Sequence, residues 1–271
     1  MRFRLLFPLT LALAACTPNG GGGGVRSAAP RAPALFTESF GITQPSRVRT
    51  LIVVLHGDAR QTPPSYQYTA ARDFAAAVPD SAVVAILRPG YTDATGNTSP
   101  GDRGLGNGDN YTRDRIDAIA DTIAGLQRRY SRARVIVIGH SGGAAIAANL
   151  AGTRSGLVDG VVLASCPCML DEWRVGMKKR LPQSGFDVPV KSLDPLQTVG
   201  GIPASTRAAI LVGTKDESSP PALSRGYAEA LALRGIATDF RILPGKGHDI
   251  LDDPETVAAL QRLAASLPRL P

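Results

Sequence analysis

Six short runs of aliphatic and β-branched residues punctuate the chain, at 50–55, 82–87, 134–138, 160–164, 208–212 and 238–243. Apart from Arg134, Asp239 and Arg241 they are continuous apolar runs, which is the pattern of a strand covered on both faces. Between them lie alanine-rich segments whose apolar positions recur at helical spacing: 66–78, 111–130, 142–150, 222–234 and 255–267. Strand and helix alternate along the chain. The pattern predicts an α/β fold, a mostly parallel central sheet flanked by helices. Two stretches break the rhythm. Residues 88–110 are rich in Gly, Asp, Asn and Thr and follow a predicted strand end; residues 165–205 hold the only tryptophan, Trp173, in a short amphipathic piece at 169–180. Long irregular segments within a domain commonly serve a site, and the second is expected to form a small lid between two strands.

The amino-terminal end reads differently. Arg2 and Arg4 precede an apolar run at 5–15, interrupted by Pro8, and then come Cys16 and a glycine tract. The run is about half the ~20 residues needed to span a bilayer, so residues 1–15 are expected to be a signal peptide. Leu13-Ala14-Ala15-Cys16 resembles a bacterial lipobox, which implies cleavage before Cys16 and lipid attachment to its sulfur. A plain secretory signal cut near Ala15 is the alternative. Residues 16–34, with Gly20 to Gly24 flanked by Pro18, Pro30 and Pro33, cannot bury a core and are expected to be a flexible tether. Residues 35–271 suit one domain. The expected place is the bacterial cell envelope, lipid-anchored, and Thr17 after the cysteine resembles lipoproteins sent to an outer membrane.

Losing residues 1–15 removes Arg2 and Arg4 and lowers the formal charge from +7 to +5. The remaining basic residues are scattered without aromatic interleaving, which argues against nucleic acid and suits a membrane surface with anionic head groups. With Cys16 lipidated, Cys166 and Cys168 remain. An exported setting allows a disulfide between them, although a separation of two residues constrains its geometry. Two sulfurs with no nearby histidine do not make a metal site, and no metal or organic cofactor is implied.

The chemistry centres on Gly139-His140-Ser141-Gly142-Gly143, a Gly-x-Ser-x-Gly sequence between a predicted strand and a predicted helix. A tight strand-to-helix turn exposes the serine, and the glycines remove side chains that would collide there. Serine needs a base, and the chain has three histidines. His140 sits on the turn itself and His56 follows a strand in Leu55-His56-Gly57. His248 lies in a Gly-rich loop, 244–249, between the last predicted strand and helix, and is the expected base. The supporting acid should follow the preceding strand. Asp216 comes soonest; Glu217 and Asp239 are the reserves. The oxyanion hole is expected from the backbone amides of Gly142 and Asp58. A carboxylate at 58 would oppose developing negative charge, so its side chain is expected to turn away or to pair, with Arg60 as the nearest cation.

The set His56-Gly57, Gly139 to Gly143, Asp216 and His248, in that order on alternating strands and helices, resembles the α/β-hydrolase superfamily over about residues 35–270. The resemblance implies the Ser, Asp, His order and hydrolysis through an acyl-enzyme. The compact core is similar to secreted esterases of the polyhydroxybutyrate-depolymerase and feruloyl-esterase kind, and to the catalytic domain of prolyl-oligopeptidase-like peptidases. Asp58 and the Cys166-Pro167-Cys168 turn depart from that pattern. Carboxylic-ester hydrolysis is the expected activity, on a small-molecule or oligomeric ester. Peptide or amide hydrolysis by the same three residues is the alternative, and a non-catalytic binding lipoprotein on the same fold is the third reading.

Overall fold

The six apolar runs become six neighbouring strands. A computed structural model describes residues 34–58 and 62–270, which belong to one compact unit, Pro33–Pro271. The strands are β1 (Thr37–Gly41), β2 (Thr50–Leu55), β3 (Ser81–Ile86), β4 (Arg134–His140), β5 (Gly160–Ala164), β6 (Arg207–Gly213) and β7 (Ala237–Leu243). They form one sheet in the order β1-β3-β2-β4-β5-β6-β7. Every pairing is parallel except that of β1 with β3, which is antiparallel. The helices are α1 (Tyr66–Ala77), α2 (Arg113–Arg129), α3 (Gly142–Thr153), α4 (Leu170–Arg180), α5 (Pro195–Thr198), α6 (Pro221–Leu233) and α7 (Pro254–Ser266). The long predicted elements are all present, with ends shifted by no more than three residues.

Alternate residues of the central strands face opposite layers, and each layer has its own core. Leu51, Val53 and Leu55 of β2, with Val135 and Val137 of β4, pack under α2, α3 and α6. Ile52, Val54, Ile136 and Ile138 pack under α1 and α7, against Phe74, Ala259 and Leu260. Burying both faces explains why these strands carry no polar alternation. Each fully buried Val, Ile or Leu contributes about 1.5–3 kcal/mol. The small residues of α3, Ala144, Ala145, Ala147 and Ala148, are all fully buried, so this helix lies close against the sheet with Ser141 at its amino end.

β1 is the strand that periodicity did not predict. Thr37-Glu38-Ser39-Phe40-Gly41 is half-exposed at the sheet edge and pairs on one side alone, so it carries no apolar run. The segment between β5 and β6 holds α4 and α5, and its amphipathic piece is a real helix. Trp173 of α4 is buried, stacks edge-on against Phe186 with ring centroids 5.3 Å apart, and donates from Nε1 to the Ser218 carbonyl at 2.8 Å.

Candidate active site

The carboxyl ends of four parallel strands deliver the residues singled out in the sequence to one edge of the sheet, the usual place for a site in an open α/β sheet. β2 runs out into His56-Gly57-Asp58, β4 into Ser141, β6 into Asp216 and β7 into the loop carrying His248. Ser141 has φ 53° and ψ −123°, a left-handed backbone that a non-glycine residue adopts only under local constraint. The neighbours enforce it. A Cβ on Gly139 would stand 2.3 Å from the Gly143 carbonyl oxygen, and one on Gly143 would stand 2.4 Å from the His56 carbonyl oxygen. The two glycines therefore let α3 start hard against the ends of β4 and β2. The Ser141 amide is spent on the Ala164 carbonyl at 2.9 Å, which pins the turn to β5.

Asp216 and His248 meet. The imidazole Nδ1–H donates to the carboxylate, with both oxygens at 3.0 Å. Asp216 has no side-chain exposure, while His248 keeps 23% of its own. Burial alone would raise the Asp216 carboxyl pKa. The bond from His248, its charge and the Ser219 amide outweigh burial and hold it below the ordinary carboxylate value. The amides of Ser218 and Ser219 both donate to Oδ1, at 2.9 and 2.8 Å, and so fix the carboxylate from behind. With Nδ1 protonated toward Asp216, Nε2 is left as the basic nitrogen. The reserve acids are engaged elsewhere: Glu217 accepts from Arg180, and Asp239 accepts from Arg241 and Arg262.

Of the two expectations for the Asp58 side chain, turning away or pairing, pairing is the one seen, with a different partner. The carboxylate lies over Gly142, where an added Cβ would be 2.3 Å from Oδ1. The expected partner was Arg60, which lies outside the described residues. The partner seen is Arg88, at the end of β3, whose Nη1 donates to Oδ1 at 2.8 Å. Tyr111 donates to Oδ2 at 2.6 Å and Asn110 to Oδ1 at 3.2 Å. Arg88 is fully buried, and the same Nη1 also donates to the His56 carbonyl at 3.1 Å. The carboxylate is thus neutralised on the spot. Among the described residues neither the Asp58 nor the Gly142 amide finds an acceptor, the condition for two N–H groups to receive a developing oxyanion.

His56 is structural. Its Nε2 accepts from the Arg88 amide at 3.0 Å, its Nδ1 donates to the Gly57 carbonyl at 2.8 Å, and burial lowers its pKa well below the usual value. Cys166 and Cys168 are joined as a disulfide, both buried, directly after Ser165. Arg88, Tyr111, Tyr66 and Ser165 are the site-lining residues that sequence reasoning missed. A charged residue closing an apolar strand run was the one available signal, and it applied to Arg88 alone. Cys16 lies outside the described residues.

The sequence pattern of the alpha/beta hydrolase family matches residues 52–193, just over half of the chain. The chain belongs to the alpha/beta hydrolase family. Its sheet, with one antiparallel edge strand and helices on both faces, is the α/β-hydrolase fold. Solved structures agree. Esterase PE8 is 15% identical with a TM-score of 0.61, over 87% of this chain and 100% of its own. Est1E from Butyrivibrio proteoclasticus, with ferulic acid bound, is 13% identical with a TM-score of 0.64, over 85% of this chain and 94% of its own. An acylaminoacyl peptidase is 14% identical with a TM-score of 0.60, over 84% of this chain and 38% of its own. At such identities the likeness is one of fold. No curated protein sequence matches the chain. Membership in this family supports hydrolase activity.

Proposed function

We propose that the protein is a serine hydrolase of carboxylic esters, with Ser141 as nucleophile, His248 as general base and acid, and Asp216 as the group that holds and stabilises the imidazole. The observation that carries this reading is the Asp216–His248 pair, a buried carboxylate gripping Nδ1 of a half-exposed imidazole at the sheet edge where Ser141 is presented. Ser141 Oγ attacks the ester carbonyl carbon while His248 Nε2 takes its proton. The tetrahedral oxyanion is received by the Asp58 and Gly142 amides. On collapse the imidazolium returns the proton to the leaving alcohol, leaving an acyl-serine. Water, deprotonated by the same nitrogen, then releases the acid and regenerates Ser141.

The segments at 88–110 and 165–205 are the proposed walls of the acyl and alcohol sites. Arg174 of α4 ties them together, donating to the carbonyls of Asn107, Phe186 and Val188. The esterase neighbours favour an ester over an amide; amide cleavage by the same residues is the alternative chemistry. The test is hydrolysis of short-chain p-nitrophenyl esters and labelling by a fluorophosphonate, using the full chain and Ser141→Ala. Turnover and labelling that vanish together in the variant are expected. A folded wild type that neither turns over nor labels would overturn the enzyme reading in favour of a binding protein. Cleavage of aminoacyl p-nitroanilides in preference to esters would replace the ester by the amide.

Cys16 is the proposed lipid attachment site, which would place the domain at a membrane of the bacterial envelope. The support is the lipobox-like sequence at 13–16. Incorporation of a palmitate analogue that persists in Cys16→Ala would refute it.

A further inference from the structure

A second histidine lies within reach of the first without touching Asp216. His140 precedes the nucleophile, and its side chain is 6% exposed. Its Nε2 is 3.0 Å from the His248 carbonyl oxygen, and its Nδ1 is 2.9 Å from the Tyr66 hydroxyl. That hydroxyl also meets the Gly57 amide at 2.6 Å. The donors can be assigned from chemistry. A carbonyl oxygen can only accept, so His140 Nε2 carries a proton. The ring is buried and neutral, so Nδ1 is bare and takes the Tyr66 proton. The Tyr66 oxygen then accepts from Gly57. Each group in the series has one available role, and the series therefore runs in one direction: Gly57 N–H to Tyr66, Tyr66 O–H to His140, His140 N–H to the backbone of His248.

The ends of this series are the loops that a serine hydrolase must hold at fixed separation. At one end is Gly57, whose neighbour Asp58 supplies a proposed oxyanion amide. At the other is the main chain of His248. In the middle is the residue bonded to Ser141. Packing fixes the rings as well: Tyr66 and His140 meet edge-on with centroids 5.5 Å apart, and the two histidine rings are 4.9 Å apart. The spot where a Gly57 Cβ would be is 3.0 Å from the Ser141 Cβ and 3.2 Å from the Tyr66 hydroxyl, so the tyrosine reaches the turn itself. The His248 carbonyl takes a second bond, from the Ser165 hydroxyl at 2.7 Å. A base on a Gly-rich loop gains its placement from these two donors.

We propose that His140 and Tyr66 are positioning residues for the reaction, setting the His248 loop and the Gly57–Asp58 peptide relative to Ser141. The inference rests on the reading of Ser141 and His248 as nucleophile and base. Neither residue transfers a proton to substrate. Their contribution is geometric, and small displacements of a base are costly: about 1 Å can lower a rate about 100-fold.

The test uses the full chain with p-nitrophenyl butyrate, with rates expressed per fluorophosphonate-titrated site so that misfolded molecules do not count. Tyr66→Phe, which strands the Gly57 amide and His140 Nδ1, is expected to lower kcat about 10-fold with KM within about twofold of wild type. His140→Leu is expected to lower kcat further and to displace the acid limb of the pH–rate profile. His140→Gln keeps an N–H for the His248 carbonyl and is expected to recover most of the loss. Wild-type kcat per titrated site in Tyr66→Phe and His140→Leu, with a lowered Tm alone, would overturn the inference and leave the esterase reading standing. So would a rise in KM at constant kcat, or a His140→Gln no better than His140→Leu. A wild type that Ser141→Ala does not inactivate would instead bring down the esterase reading, and this inference with it.

Discussion

Asp216 shows how much one carboxylate is asked to do. It accepts Nδ1–H from His248 and the amides of Ser218 and Ser219, and it does so with no side-chain exposure. The backbone donors hold its orientation whatever its charge, whereas the proposed imidazolium needs the charge itself. Those two roles can be separated. In Asp216→Asn the side-chain oxygen can still accept from Ser218 and Ser219, so the turn should fold as before. What is lost is the negative charge beside the imidazole and the preference for a proton on Nδ1. Ester turnover at neutral pH should fall by about 10⁴-fold, as the same change does in a Ser-His-Asp triad, with the Tm changed little. Comparable loss of Tm and of activity would mean that the carboxylate is structural. Ser141 makes the complementary point. Its left-handed backbone is held by close contacts of Gly139 and Gly143, so the residue owes its exposure to its glycine neighbours rather than to its own chemistry.

At the scale of elements, β3 contributes more than a central strand usually does. Its run closes on Leu87, and the next residue, Arg88, turns back beneath the loop after β2 to reach Asp58 and the His56 carbonyl. Tyr91 and Tyr111 stand beside the guanidinium at 5.2 and 6.0 Å, and burial pushes the Tyr91 phenol up to about 12. Removing one partner of a buried ion pair typically costs about 3–5 kcal/mol, because the other charge is left unpaired. Arg88→Met is therefore expected to destabilise the fold by about that much. It should also weaken ester hydrolysis, since the Asp58 carboxylate beside Gly142 would lose its countercharge where the oxyanion is proposed to form. A urea titration reads the first effect, and turnover per titrated site reads the second; unchanged turnover would show that Asp58 has no electrostatic reach into the site. This pair also marks the limit of what the sequence discloses. The strand runs and the helices between them are local patterns, and they were legible. The Asp58 partner was not, because Arg88 is 30 residues away while Arg60 is two, and nothing in composition says which cation a strand end will return. β1 escaped for the opposite reason: an edge strand paired on one side needs no apolar run.

For the whole molecule, the site is a property of the sheet edge rather than of any one segment. Loops from β2, β4, β6 and β7 bring it together, and two of the three histidines are buried joints: His140 reaches the main chain of His248 after β7, and His56 ties the loop after β2 to Arg88 after β3. His56 and His140 are 0% and 5% exposed, and both are held neutral. That has a consequence for acid stability. Burial, and then the nearby His248, lower the His140 pKa to about 4, against the pull of the His248 carbonyl, Asp249 and Asp216 in the other direction. Burial, Arg88 and His140 lower that of His56, opposed by its bond to the Gly57 carbonyl. A native pKa below the unfolded value of 6.5 means that the unfolded chain binds the proton first as pH falls. Stability is then at its full value above pH 6.5 and declines toward pH 4. For His140 the difference amounts to about 3 kcal/mol at the low end, taking 1.36 kcal/mol per unit. Asp216, whose native pKa is depressed, adds a further loss as pH drops below the ordinary carboxylate value. Urea midpoints measured from pH 7.5 down to pH 4 should fall continuously below 6.5, and the slope should flatten in His140→Gln, which has nothing to protonate. In that variant His56 would carry the residual slope above the carboxylate range, and the depressed Asp216 would add to it at the low end. A midpoint constant across this range would mean that both rings pick up protons in the folded state without opening it, and the buried joints would then be looser than their hydrogen bonds imply.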